Sequence, residues 1–268
     1  MKSIGDTFRH CRQFGRKALM PFLTAGYPDR RSFVKLFRAF NESGADLIEV
    51  GIPFSDPMAD GKTIQFSSQK ALVNGVTVEN TLACLSQLGE SFDTPLIIMS
   101  YYNPIYSYGF KRFLQRARQA GVRGLIIPDL IPEEGTDVER LCRRYRIDLI
   151  YLLAPTTDAR RRRMVVRRSQ GFVYLVSVTG VTGARKSLPV YLNKWIGDVK
   201  TECCLPVCVG FGIADLKQAL AVARHADGVI MGSAIIDIVR RAQDPRQAVT
   251  RVRTFLKQLR KGLDYDLR

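Results

Sequence analysis

Eight short apolar runs recur along the 268-residue chain, and their alternation with helical patterns limits its possible folds more than any other feature. The runs are "ALMPFL" (18–23), "LIEV" (47–50), "LIIMS" (96–100), "GLIIP" (124–128), "LIYLL" (149–153), "FVYLVS" (172–177), "PVCVG" (206–210) and "GVIMG" (228–232). Such continuous hydrophobicity suits strands covered on both faces, as in a parallel sheet. Between the runs the period changes to that of helices. Phe33, Leu36, Phe37 and Phe40 fall at i, i+3, i+4 and i+7 behind Asp29, a good N-cap residue. Phe110, Phe113, Leu114 and Ala117 repeat the pattern and stop at Gly121, a plausible residue just past a helix end. Leu82, Leu85 and Leu88 behind Thr77, the set Leu192, Trp195, Ile196 and Val199, and Leu216, Ala219, Leu220 and Ala223 mark further helices. A last one carries Val249, Val252, Leu256 and Leu259, and the single Trp195 reads as helix-to-barrel packing. Eight β/α units in about 250 residues are what a closed (β/α)8 TIM barrel requires. A doubly wound open sheet competes, but it usually has fewer strands and a Gly-rich first turn; here "TAGYPD" follows the first run. No Ser- or Gly-rich linker divides the chain, so residues 1–268 are expected to form a single α/β TIM-barrel domain with an extra N-terminal helix.

Composition narrows the setting. The chain is 46% hydrophobic, enough for a sizeable core. No apolar run approaches the ~20 residues that span a bilayer. The N-terminal stretch mixes charges throughout without a signal-like apolar region. A cytoplasmic protein with no membrane association is expected. Cys11, Cys84, Cys142, Cys203, Cys204 and Cys208 form no CxxC pair and have no histidine at metal spacing, so reduced, mostly buried thiols and no metal site are expected. The 41 Lys and Arg outnumber 25 Asp and Glu, giving +16, a balance that favours phosphorylated substrates, nucleic acid or anionic surfaces. The densest run, Arg160–Arg163, fans around a helix axis at about 100° per residue and makes no stripe. Without aromatic interleaving or a nucleic-acid motif it reads as a solvated outer helix, and no nucleic-acid partner is expected.

A barrel carries its active site at the C-terminal strand ends. Glu49 is the third residue of "LIEV", and Asp60 lies in the stiff loop that follows, among Gly51, Pro53, Pro57 and Gly61. Two acids so placed could grip a substrate from two sides, one handling a proton and the other meeting positive charge. Equally, Glu49 could be a buried acid paired to a neighbour and Asp60 the cap of a helix starting near Thr63. Gly210 and Gly212 in "VGFGIAD", with Gly232 and Ser233 in "IMGSAII", end the last two runs, where barrels commonly hold phosphate on free N–H groups. "SVTGVTGARKS" (177–187) is lid-like, with Gly180 and Gly183 as hinges and Thr182 offering a hydroxyl to orient a carboxylate. His10 and His225 lie away from the strand ends, and no run contains a lysine, which disfavours triad and Schiff-base chemistry.

"PFLTAGYPD", "GADLIEVGIPFSDPMADG", "YYNPI", "GLIIPDL", "GFVYLVSVTGVTGAR", "GFGI" and "DGVIMGSAII" occur in this order over roughly residues 20–240. Together they resemble the tryptophan synthase alpha subunit. The resemblance implies retro-aldol cleavage of indole-3-glycerol phosphate to indole and glyceraldehyde 3-phosphate, within tryptophan biosynthesis. It gives Glu49 the role of proton carrier and Asp60 that of partner to the indole N–H. It sets Thr182 on Asp60, Tyr174 near Glu49, and Phe22, Tyr101 and Ile230 around the indole. It assigns Gly183, Gly212, Gly232 and Ser233 to the phosphate. It also implies an alpha2beta2 heterotetramer with a beta subunit that carries pyridoxal phosphate, this chain needing no cofactor, and contact loops around Pro53–Asp56, Asn103–Pro104 and Asp129–Pro132. Lys62 departs from the family pattern, which usually has an uncharged residue after "ADG"; a cation two positions from Asp60 is expected to favour the ionised acid or alter the loop. The competing expectations are another phosphate-binding barrel of amino-acid biosynthesis, or a basic, non-catalytic barrel that binds nucleic acid.

Overall fold

The apolar runs become strands because each is hydrogen-bonded on both sides and roofed by helices. The computed structural model describes residues 2–89, 92–177 and 188–265. Its strands are β1 (Ala18–Thr24), β2 (Ile48–Gly51), β3 (Leu96–Met99), β4 (Val122–Ile126), β5 (Asp148–Ile150), β6 (Leu152–Leu153), β7 (Val173–Val176), β8 (Val207–Gly210) and β9 (Gly228–Met231). They form one sheet in the order β5-β4-β3-β2-β1-β9-β8-β7-β6, and every pair is parallel. Its two end strands are consecutive in the chain and separated only by Tyr151, so the sheet returns on itself as a nearly closed barrel.

Among the described residues the expected eight strands are nine, for a local reason. "LIYLL" is one apolar run whose first half pairs with β4 and whose second half pairs with β7. Two partners on different sides break one strand into two.

The helices are α1 (Ile4–Gln13), α2 (Arg30–Glu42), α3 (Lys62–Val73), α4 (Val78–Gly89), α5 (Tyr102–Tyr108), α6 (Phe110–Gln119), α7 (Thr136–Tyr145), α8 (Ala159–Arg168), α9 (Leu192–Glu202), α10 (Leu216–Ala223), α11 (Ser233–Arg240) and α12 (Pro245–Tyr265). Their ends follow the chemistry of the sequence. Asp29 caps α2 by accepting the Ser32 N–H at 2.9 Å, and the Thr77 hydroxyl accepts the Asn80 N–H at the start of α4. Phe33, Leu36, Phe37 and Phe40 are all buried against the sheet, as are Trp195, Ile196 and Val199 of α9. In α8 the arginines diverge as the 100° advance requires: Arg161 reaches Glu133, Arg162 reaches Glu202 and Arg168 reaches Glu139, while Arg160, Arg163 and Arg167 are exposed. All six cysteines are free thiols, four of them buried.

α1 is the extra helix. It opens with a capping box between Ser3 and Asp6 and sends Ile4 to the base of the barrel, beside Gly124; a Cβ there would lie 2.8 Å from the Ile4 terminal methyl. The same end is held by Arg260 of α12, which binds Asp46 at 2.7 Å, Asp264 at 2.7 Å and the Lys17 carbonyl at 2.9 Å. The base is thus plugged and braced, and the opposite, C-terminal rim is the end at which a barrel carries its site.

Candidate active site

Glu49 stands on β2, in register with Phe22 of β1 and Ile97 of β3. Its side chain is fully buried, and its Oε2 has no hydrogen-bond partner among the described residues. Burial, and then the nearby Asp60 charge, push its carboxyl from the ordinary 4.5 up to about 8. Asp60 follows in the β2–α3 loop and is also buried. Burial raises its carboxyl from 3.8 to about 6, against the pull of a hydrogen bond from the Tyr101 hydroxyl. The helix behind it begins at Lys62 with Gly61 as its N-cap residue. Asp60 is therefore not that helix's cap; its carboxyl turns to Tyr101 instead. Two acids in one pocket with pKa values held at different heights can take different roles near neutral pH: one a proton donor, the other an anion.

The pocket around them has about 410 Å³ of empty space, open mouth included, and is walled by Phe22, Ile64, Met99, Tyr174, Phe211 and Ile230. Tyr174 of β7 is buried to the hydroxyl, and burial followed by the Glu49 charge raises its pKa far above the ordinary 10. It fits only because position 210 is glycine: a Cβ there would lie 2.1 Å from the Tyr174 oxygen. At the far side Gly212, Gly232 and Ser233 complete the lining. Gly212 has φ +82°, a conformation that side chains rarely adopt. Gly232 is the N-cap residue of α11, which offers no capping side chain, so the first-turn N–H groups of α11 are left without an intrahelical acceptor. Such an end attracts an anion.

Eight of the expected site residues thus line one pocket: Phe22, Glu49, Asp60, Tyr174, Gly212, Ile230, Gly232 and Ser233. Tyr101 does not wall it. It stands one layer behind, its hydroxyl accepting the Ala59 N–H at 2.9 Å and bonding Asp60. Thr182 and Gly183, with the hinge at Gly180, lie outside the described residues. Lys62 corrects an expectation: it is exposed on α3, and what shifts Asp60 is burial and Tyr101. Ile64, Met99, Phe211 and Ile213 also line the pocket, although none of them is among the expected site residues. Met99 closes its strand and Ile64 lies one helical turn past Asp60, so strand ends and helix period did carry a signal for them. Phe211 follows the end of β8 inside "VGFGIAD", but its φ of +60°, which aims the ring, left no mark in the sequence.

A nearly closed parallel β/α barrel with two buried carboxyls in a pocket at the C-terminal strand ends is the architecture of a TIM-barrel enzyme. Comparison with known proteins gives its kind. The family model described as tryptophan synthase alpha chain matches residues 8–264. A tryptophan synthase alpha chain of Dehalococcoides mccartyi is 45% identical over 98% of this chain and 100% of its own length, and one of Geobacter sulfurreducens is 43% identical over 98% and 99%. The solved tryptophan synthase subunit alpha of Legionella pneumophila superposes with a TM-score of 0.90 at 36% identity, covering 98% of this chain and 99% of that one. A tryptophan synthase structure of Mycobacterium tuberculosis gives 0.89 at 38%, with the same coverage. The chain belongs to the tryptophan synthase alpha chain family, lyases of tryptophan biosynthesis that cleave indole-3-glycerol phosphate.

Proposed function

We propose that Glu49 and Asp60 carry out this cleavage in the pocket between β1, β2, β7 and β9. Near neutral pH Glu49, with a carboxyl near 8, is a protonated acid, and Asp60, near 6, is an anion. Glu49 gives its proton to C3 of the indole ring, which leaves the ring as a cation with its charge at the N–H. The Asp60 carboxylate faces that N–H and stabilises the charge. Glu49, now a carboxylate, takes the proton of the glycerol hydroxyl next to the ring. The O–H electron pair becomes the aldehyde C=O, the bond to C3 breaks, and its electrons neutralise the ring. Indole and glyceraldehyde 3-phosphate leave, and Glu49 ends as it began. Phe22, Ile64 and Ile230 give the indole apolar walls, and the N–H groups around Gly212, Gly232 and Ser233 hold the phosphate, with Gly183 and Thr182 as further partners of the phosphate and of Asp60.

The observation that carries this reading is two carboxyls raised to different heights in one buried pocket, across from a helix N-terminus without a capping side chain. Its test is indole release from indole-3-glycerol phosphate by the full chain between pH 5 and 9.5. A bell is expected, with apparent limbs of the coupled pair near 6 and 8. Glu49→Gln and Asp60→Asn should each lose on the order of 10²–10⁴-fold. A flat profile, or a Glu49→Gln enzyme within tenfold of the parent, overturns the assignment.

The partner is a tryptophan synthase beta subunit, joined in an alpha2beta2 heterotetramer, and the pyridoxal phosphate of the complex belongs to it; this chain's proton chemistry uses no cofactor of its own. Exposed apolar side chains on neighbouring rim segments support this surface: Met58 after β2, Tyr106 on α5 and Ile131 after β4 are 79%, 66% and 40% exposed. Six free thiols support a reducing, cytoplasmic setting.

A further inference from the structure

We infer that Asp129 is a positioning residue for Asp60, acting through the first peptide of α5 and the side chain of Tyr101. The inference rests on the proposed role of Asp60 and adds to it the element that holds that acid in place.

α5 starts at Tyr102, with Tyr101 at its N-cap position and no capping side chain of its own. The Tyr102 N–H is satisfied from another loop. Both oxygens of Asp129, three residues beyond the end of β4, accept it, at 2.9 and 3.2 Å. A carboxylate there also meets the positive end of the helix. On the other side of Tyr101, the Ser100 N–H donates to the Ile126 carbonyl at 3.0 Å, and the Ser100 hydroxyl donates to the Tyr101 carbonyl at 3.1 Å. The backbone of Tyr101 is thus pinned before and after the residue, and the pin after it is Asp129.

From that fixed root the Tyr101 side chain meets the β2–α3 loop at three points. Its ring packs on Phe54 with centroids 5.3 Å apart, its hydroxyl oxygen accepts the Ala59 N–H at 2.9 Å, and its single O–H is left to donate to the Asp60 carboxyl. A phenol has one proton to give, so the division is fixed: lone pair to Ala59, proton to Asp60. Burial, then the charges of Asp60 and, least, Asp129, raise the Tyr101 pKa, which keeps that donor in place. Among the described residues the other ionisable groups that act on or beside Asp60 are Glu49 of β2 and Tyr174 of β7; Lys62 of α3 is exposed. The loop that holds Asp129 also carries Ile131, so the same residues would pass an occupant's effect on that rim to the catalytic acid.

Asp129 is exposed, so truncating it opens no cavity in the core. The test is kcat/KM for indole release against pH, with the full chain and no partner, for Asp129→Ala, Asp129→Asn, Tyr101→Phe and the Asp129→Ala/Tyr101→Phe pair. Asp129→Ala should move the acid limb upward by about half a pH unit or more, because Asp60 loses part of the hydrogen bond that favours its anion. Asp129→Asn keeps an oxygen for the Tyr102 N–H and should restore the parent limb. The double variant should shift no further than Tyr101→Phe alone, because both act through one hydroxyl. An unmoved limb in a folded Asp129→Ala, an Asn variant as impaired as the Ala one, or additive shifts each overturn the inference. A parent profile without an acid limb would instead strike at the role of Asp60 itself.

Discussion

Glu49→Gln should make the protein more stable while it removes catalysis, and the gain should depend on pH in a defined direction. Burial raises the Glu49 carboxyl from 4.5 to about 8, so between these values the folded state holds a proton that the unfolded chain releases. What the protonated group contributes to folding is complete below about 4.5 and is lost as pH rises through about 8. A tenfold change in an acid's dissociation constant corresponds to about 1.4 kcal/mol. At pH 7 the parent therefore bears a cost of roughly 3 kcal/mol, rising toward roughly 5 above pH 8. Glutamine does not titrate and escapes that cost. Its second N–H, placed where Oε2 has no partner among the described residues, takes back about 1 kcal/mol or more. The net expectation is a gain of about 2 kcal/mol at pH 7, or roughly 4–8 °C in Tm. Urea unfolding of parent and variant at pH 5, 7 and 8.5 measures it. The difference should grow with pH and fade as pH 4.5 is approached. A constant offset across this range, or a variant less stable at pH 8.5 than the parent, would refute the claim that Glu49 is held as a buried acid.

Three further outcomes follow from particular contacts. Gly210→Ala puts a methyl 2.1, 2.6 and 2.8 Å from the hydroxyl and ring of a buried Tyr174, so a loss of about 1–3 kcal/mol and of cleavage is expected, partly recovered by adding Tyr174→Phe; parent-like stability and kinetics would show that the ring has room. Ser233→Asp sets a carboxylate at the α11 N-terminus and should raise the KM for indole-3-glycerol phosphate by about tenfold or more with a smaller change in kcat; an unchanged KM would remove the phosphate from this end. Arg260→Ala removes from Asp46, half-buried 2.7 Å away, its nearest cation and leaves it the Leu19 N–H at 2.9 Å and Arg16 at 3.7 Å, and should cost about 3 kcal/mol in urea unfolding; a change below about 1 kcal/mol would mean that the base is braced by packing alone.

The barrel was readable because its evidence is periodic. An apolar run buried on both faces and a helix with one apolar stripe leave patterns within a dozen residues, and all eight runs became strands. Capping is as local, which is why Asp29 and Thr77 stood out. The split of 149–153 was not readable, since all five residues are apolar and the break comes from two different neighbours. Most of the pocket was readable by the rule that chemistry sits at strand ends, and Glu49, Gly212, Gly232 and Ser233 answered to it.

Electrostatics at Asp60 was not readable, and the reason is general. Lys62 is two positions away, yet the start of α3 leaves it in solvent, where water screens its charge. Tyr101 is remote in sequence, yet β3 runs beside β2 in register, with Val50 opposite Ile98 and Gly51 opposite Met99, and this brings the residues after both strands together. In a parallel barrel the groups that set a pKa are those on adjacent strand ends, in contact and out of water. Neighbours in sequence matter only where the loop turns them inward. The same register explains why Asp129, after β4, reaches Tyr102, after β3, and why a residue two strands removed from Asp60 is connected to it through contacts no longer than a hydrogen bond.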